Sequence, residues 1–146
     1  MIHVGINGFG RIGRLAARVL ADHPTLNLVQ INDLAGDAKT HAHLMQFDSV
    51  HGIWNGEAEA GDQSIQINGQ SVRVSQEKTL EAADFSGCDV VLECTGKFKS
   101  VEALAPYQAM GVSQTVVSAP IKVPEVLNVV MGVNHTLFDP ACHPIV

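Results

Sequence analysis

Apolar residues along this chain alternate between short unbroken runs and runs at helical spacing, and that alternation predicts strands followed by helices. Ile2 to Ile6 is short enough for a strand, glycines follow, and from Arg11 to Asp22 the residues Ile12, Leu15, Ala16, Val19 and Leu20 recur as one helical face. After Pro24 the run Leu26 to Ile31 stops at Asn32-Asp33, as a strand of a buried parallel sheet does. Asp37 to Phe47 predicts a helix with Asp37 as its cap. Ser64 to Ile67 and Gln70 to Val74 alternate polar and apolar around Asn68-Gly69, the dipeptide suited to a type I′ turn, so an antiparallel hairpin is predicted there. Asp89 to Glu93 reads as a strand, Ser100 as the cap of a helix through about Met110, and Thr115 to Ser118 as the next strand. Val126 to Met131 is a further strand candidate, and Pro144 to Val146 the opening of another.

The fold class that follows is α/β: a doubly wound, mostly parallel sheet with helices on both faces and an inserted antiparallel hairpin, receiving ligands at the carboxyl ends of its strands. No repeat or low-complexity tract divides residues 1–146, so one domain is expected.

Composition narrows the function classes. The chain is 46% hydrophobic and 16% charged, with no apolar run near the roughly 20 residues a membrane span needs, which predicts a soluble protein without a membrane role. The opening Met1 to Ile6 carries no basic leader, and the cytoplasm is the expected address. A formal net charge of −6 argues against a nucleic-acid partner, which needs clustered Lys and Arg. Cys88, Cys94 and Cys142 form no CxxC pair, and reduced, mostly buried thiols are expected. His41 and His43 lie two apart and would face different sides of a helix, so no metal is expected.

Gly8-Phe9-Gly10-Arg11-Ile12-Gly13 fits GxGxxG, a weak pattern alone. Here it follows a strand, opens an amphipathic helix and has Asp33 about 20 residues further on, which together make the fingerprint of a Rossmann dinucleotide site. Gly8 permits the sharp turn, Gly10 lets the backbone approach a pyrophosphate, and Gly13 lets helix and strand pack closely. Amides near Arg11 and Ile12 would meet the diphosphate at the helix N-terminus. Asp33 can accept from both adenosine ribose hydroxyls and would repel a 2′-phosphate, so NAD is the expected cofactor in preference to NADP.

Ile6-Asn7-Gly8-Phe9-Gly10-Arg11-Ile12-Gly13-Arg14 resembles the opening signature of the phosphorylating glyceraldehyde-3-phosphate dehydrogenases. Asn32-Asp33-Leu34, Phe47 to Gly52, Glu93 to Phe98, Ser118-Ala119-Pro120 and Met131 to His135 fall in that family's order with similar spacing, so the likeness runs along the whole chain. The resemblance implies Asn7, Arg11 and Ile12 beside the diphosphate, Asp33 on the adenosine ribose and Lys78 near the adenine, where the family often has arginine. It implies Thr95, Gly96 and Phe98 along the cofactor and Ser118 close to the nicotinamide. Phe47 to Trp54 and Leu127 to Asn134 also look like the branch associated with arsenate detoxification, in which arsenate takes the place of phosphate.

In that family a cysteine of a Ser-Cys-Thr-Thr-Asn segment attacks the aldehyde, and a histidine of the following domain acts as base. Neither is expected among these residues: the resemblance places the cysteine just beyond Val146, so the catalytic domain is expected to be absent from this chain and the chain inactive alone. Cys142-His143 lies between Pro140 and Pro144 with no following helix to lower the thiol pKa. The resemblance also implies a homotetramer for the complete enzyme. Two other readings stand beside it: a stand-alone nicotinamide-dinucleotide-binding module without catalysis, and an aspartate-semialdehyde or homoserine type of dehydrogenase, which does not share the Asn7 to Arg14 string.

Overall fold

The computed structural model describes all residues 1–146. Strand β1 (Ile2–Asn7) leads through the glycine turn into helix α1 (Arg11–Ala21), then strand β2 (Leu26–Asn32) and helix α2 (Ala38–Gln46). A two-stranded ribbon β3 (Phe47–Asp48) and β4 (Gly52–Ile53) stands apart from the main sheet, and β5 (Ala58–Ala60), β6 (Ser64–Ile67) and β7 (Gln70–Ser75) form an antiparallel run. Short helix α3 (Leu80–Ala83), strand β8 (Val90–Glu93), helix α4 (Val101–Ala109) and strand β9 (Gln114–Val117) follow, with a single 3-10 turn at His135–Leu137.

The main sheet has the order β5-β6-β7-β2-β1-β8-β9. Strands β7, β2, β1, β8 and β9 are mutually parallel, so the expected hairpin, β6 with β7, joins the parallel sheet through β7 and is extended outward by β5. Asn68 and Gly69 both take positive φ, +50° and +79°, as a type I′ turn requires. No helix is long and apolar enough to cross a membrane.

Period-2 alternation in β1 divides the interior into two cores. Val4 and Ile6 face a core completed by Ala17 and Leu20 of α1, Ala42 and Met45 of α2, and Ile65 and Val72 of the hairpin. Between them Gly5 faces the other way, and a Cβ there would lie 2.6 Å from the Phe85 ring, so that ring packs against bare backbone. Phe85 belongs to the second core, with Leu80, Val91, Leu104 and Tyr107, and meets Tyr107 edge-on at 5.5 Å between ring centroids. Helices therefore cover both faces, and β1 is buried from above and below.

The caps expected from sequence are formed. Asp37 accepts from Thr40 N at 2.8 Å, and Ser100 from Ala103 N at 3.2 Å. The Thr40 hydroxyl donates to the same carboxylate at 2.7 Å, and the two bonds from Thr40 hold the Asp37 carboxyl below its ordinary range. Arg18 of α1 is buried, and its Nε donates to the Met45 carbonyl at 2.9 Å, satisfying a last-turn acceptor of α2 and locking the two helices together.

One predicted strand is not formed. Val126 to Met131 is irregular, with Val130 and Met131 exposed, and Asn128 folds back so that its side chain accepts from Ile121 N and donates to Ile121 O. The place beside β9 is held by another segment. The open side of β9 is taken by the last residues: Thr115 N donates to Pro144 O at 2.8 Å, Val146 N to Thr115 O at 3.0 Å, and Val117 N to Val146 O at 2.7 Å. The expected strand opening at Pro144 thus exists as a parallel bridge beside β9.

Candidate functional site

The first turn of α1 leaves N–H groups without partners. Gly10 occupies the N-cap and has no side chain to cap them, and the helix ladder begins only with Arg14 N donating to Gly10 O at 3.0 Å. The three glycines of the motif meet three different requirements. Gly8 has φ +94°, and a Cβ on it would lie 2.6 Å from Thr95 N; Gly13 would place a Cβ 2.1 Å from the Gly8 carbonyl oxygen; Gly10 has nothing within 4 Å of where a Cβ would stand. Two glycines therefore exist for packing, and the third borders open space at the positive end of a helix.

That space is a groove of about 360 Å³ across the carboxyl ends of β2, β1 and β8. The structure brings together Asn7, Gly8, Gly10, Asp33, Lys78, Thr95 and Phe98 of the predicted set along its walls, with Asn32, Leu34, Glu77 and Lys97 as further lining residues. Asp33 lies half-buried at the end of β2. Its Oδ2 accepts from Phe9 N at 2.5 Å and its Oδ1 from Ala35 N at 2.7 Å. Each oxygen keeps one acceptor position unused, so the carboxylate is fixed by the chain and still able to take two hydroxyl donors.

Other predicted residues lie around this groove rather than in it. Arg11 opens onto a neighbouring hollow with Arg14, Asp48 and His51. Ile12 is exposed beside it, and Gly13 lies on the buried face of α1. Gly96 takes φ +68° next to Thr95. Ser118 sits past the end of β9, its N–H donating to Glu93 O at 2.9 Å, and borders a separate hollow with Asn128 and Val146.

Asn7 differs from the expectation in what its side chain does. It is 2% exposed and points into the protein, donating from Nδ2 to Glu93 Oε2 at 2.7 Å and accepting on Oδ1 from Asn32 Nδ2 at 2.9 Å. Glu93, 1% exposed, also accepts from Tyr107 OH at 2.7 Å and from Thr95 N and Oγ1 at 2.9 and 2.5 Å. Burial, reinforced by the Glu93 carboxylate, pushes the Tyr107 hydroxyl far above its ordinary range, so it stays a donor. Sequence reasoning takes Glu93 as the end of a strand. The signal that could have found it is the polar residue closing each of three apolar runs, Asn7, Asn32 and Glu93.

Beneath the glycine turn lies His41, 1% exposed, with neither ring nitrogen hydrogen-bonded, packed edge-on against Phe9 at 5.3 Å. Burial lowers its pKa, against an opposing pull from Asp33 and Asp37. Its folded pKa lies below the unfolded value near 6.5, so in acid the unfolded chain takes up a proton that the folded chain refuses. Stability is unaffected above about pH 6.5 and falls as the pH drops below it, by up to about 1.4 kcal/mol per pH unit. We expect His41→Leu to flatten this: urea midpoints of wild type and variant, measured at pH 7 and pH 5, should diverge at the lower pH, and parallel curves would refute the assignment.

The three thiols are poor nucleophiles. Burial pushes Cys88 and Cys94 up to about 11, and Asp139 raises exposed Cys142, whose Sγ lies 3.6 Å from its carboxylate.

A mostly parallel sheet whose strand order reverses at β1, a glycine turn with free helix amides and an acid at the end of the second strand define a dinucleotide-binding domain of Rossmann type. Residues 2–101 match the family described as glyceraldehyde 3-phosphate dehydrogenase, NAD binding domain, and the chain belongs to that family. It is similar to glyceraldehyde-3-phosphate dehydrogenase 3 of Nostoc sp., with 47% identity over 97% of this chain and 42% of that protein. Glyceraldehyde-3-phosphate dehydrogenase 1 of Bacillus cereus is 41% identical over 100% of this chain and 44% of its own length, and the Geobacillus stearothermophilus enzyme 39% over 99% and 43%. The chain thus spans a little over two fifths of the length of the relatives it matches. NAD is the cofactor of the matched family.

Proposed function

We propose that residues 1–146 form the cofactor-binding domain of an NAD-dependent, phosphorylating aldehyde dehydrogenase, which places the nicotinamide while a second domain supplies the chemistry. The observation that carries this reading is the conjunction at one groove of unpartnered helix amides, an open Gly10 and a chain-fixed Asp33. When bound, the cofactor supplies the acceptor for a hydride leaving the aldehyde carbon.

The residues present fit such a ligand. N–H groups of Arg11, Ile12 and Gly13 face the open side of Gly10, where an anionic diphosphate is favoured by hydrogen bonds and by the helix field together. Asp33 holds the adenosine ribose through its free acceptor positions, and Lys78 stands at the adenine end. Thr95, Gly96 and Phe98 line the way toward the nicotinamide, and Ser118 lies beyond them. None of Cys88, Cys94 and Cys142 serves as the attacking thiolate, which would come from the second domain, as would the base. In this reading the complete enzyme is a homotetramer, and the 146-residue chain takes up NAD without oxidising aldehyde.

Titration calorimetry with NAD and NADP tests the assignment. We expect NAD to bind more tightly, and Asp33→Ala to weaken NAD about tenfold, roughly 1.4 kcal/mol, while narrowing the preference. Tighter binding of NADP by the unaltered chain would overturn the role given to Asp33, and no uptake of either nucleotide at millimolar concentration would overturn the function.

A further inference from the structure

Glu93 sits where one hydrogen-bond chain crosses the carboxyl ends of four parallel strands. From Glu93 at the end of β8 the chain passes to Asn7 at the end of β1, to Asn32 at the end of β2, and on to Ser75 and Glu77 at and just past the end of β7. Asn32 Oδ1 accepts from Glu77 N at 2.8 Å and Ser75 Oγ at 2.9 Å, while its Nδ2 donates to Glu77 O at 2.9 Å. At the other end Glu93 holds the N–H and hydroxyl of Thr95. One wall of the groove, Thr95, and the opposite wall, Glu77 with Lys78 behind it, are therefore the two ends of one buried network.

The direction of every bond in that network follows from the carboxylate. A carboxylate only accepts, so Asn7 must present its NH2 to Glu93 and its carbonyl to Asn32; Asn32 must then give its NH2 to Asn7, which leaves its own carbonyl for Glu77 N–H and the Ser75 hydroxyl. We propose that Glu93 is a positioning residue for the dinucleotide: by fixing the polarity of the Asn7 and Asn32 amides it holds the two walls of the groove at the separation that lets adenosine and nicotinamide halves bind at once. It touches no ligand itself, being 1% exposed. This rests on the NAD-binding reading above.

A positioning role differs from a merely structural one in which ligands feel it. AMP occupies only the Asp33 side and does not depend on the spacing of the walls, whereas NAD spans both. In Glu93→Gln the amide oxygen keeps the two buried donors, Asn7 Nδ2 and Tyr107 OH, and the NH2 is turned toward the Thr95 N–H, so the Thr95 wall loses its hold while the Asp33 side keeps its own. Calorimetry at a temperature well below both melting points should show NAD weakened at least about tenfold and AMP within about twofold. Equal losses for both ligands, or unchanged NAD binding, would overturn the proposal. Tyr107→Phe removes one donor from the same Glu93 oxygen and leaves the polarity of the Asn7 and Asn32 amides unchanged. Whether or not Glu93→Gln folds, Tyr107→Phe should lower Tm and leave both NAD and AMP binding within about twofold; a tenfold loss of NAD binding in Tyr107→Phe would make the effect one of general stability and also overturns the proposal. If the unaltered chain takes up no NAD, the functional reading has failed and this one with it, a result distinct from normal uptake by chain and variant alike.

Discussion

Gly13→Ala is expected to unseat the first helix. A Cβ at this position would lie 2.1 Å from the Gly8 carbonyl oxygen and 3.2 Å from Ile6 Cγ2, whereas real Cβ atoms essentially never come under 3.0 Å of such neighbours. The obstacle is backbone, and it cannot retreat. Gly8 N is bonded to Asn32 O at 2.8 Å on one side, and the turn already presses on Thr95 from the other, as the 2.6 Å approach of a notional Gly8 Cβ to Thr95 N shows. The helix must therefore move by close to an ångström, dragging Ala17, Leu20 and the buried Arg18 to Met45 bond with it. Overpacking against rigid backbone costs about 3 kcal/mol or more, a large part of a domain's net stability. For a chain of this size that lowers Tm by on the order of 10 °C. Thermal melts followed by circular dichroism check it, and a variant melting within about 2 °C of the unaltered chain would show that α1 is seated more loosely than these distances require.

Most of this architecture was legible because the elements that matter are governed by nearest neighbours in sequence. The glycine turn, the helical face of α1, the Asp37 and Ser100 caps and the Asn68-Gly69 turn each need only a few consecutive residues, and each forms. What escaped depends on distant partners. The apolar run Val126 to Met131 has the composition of a strand, but a strand needs an edge, and the edge beside β9 is filled by Pro144 to Val146. The ribbon of β3 and β4, with two residues in each strand, is too short for any periodicity to register. At the site, the groove's place, Asp33 and the glycines follow from spacing alone. The work of Glu93 does not, because its partner Asn7 is 86 positions away and Tyr107 is 14 away on another element. His41 likewise reads as a polar residue on a helix of moderate periodicity, and only the packed turn above it shows a ring shut away from water.

The two packing glycines also explain why the site survives folding with free amides. Gly8 and Gly13 bring strand, turn and helix so close that no side chain fits between them, which aims the first-turn N–H groups outward past Gly10 instead of into the protein. Unpartnered backbone donors facing solvent cost little, since water satisfies them until an anion replaces it.

Gly10 should therefore respond in the opposite way from Gly13. Its backbone, φ −71° and ψ −160°, is open to any L-residue, and no heavy atom lies within 4 Å of a Cβ placed there. Gly10→Val is expected to fold, with Tm within about 5 °C of the unaltered chain, because nothing in the protein is displaced and only the preference of the helix N-cap for Gly is lost. Its side chain would instead occupy the approach to the amides of Arg11 and Ile12, where the proposed function puts the diphosphate within hydrogen-bond distance. Loss of those contacts to a charged ligand should raise the Kd for NAD about 100-fold, roughly 2.7 kcal/mol, and Gly10→Ala should cause a smaller loss. Calorimetry and melting curves on the same samples separate the two effects. Undiminished NAD affinity in a folded Gly10→Val would mean that the dinucleotide does not cross the helix terminus at all, and a variant that fails to fold would contradict the open space observed at Gly10.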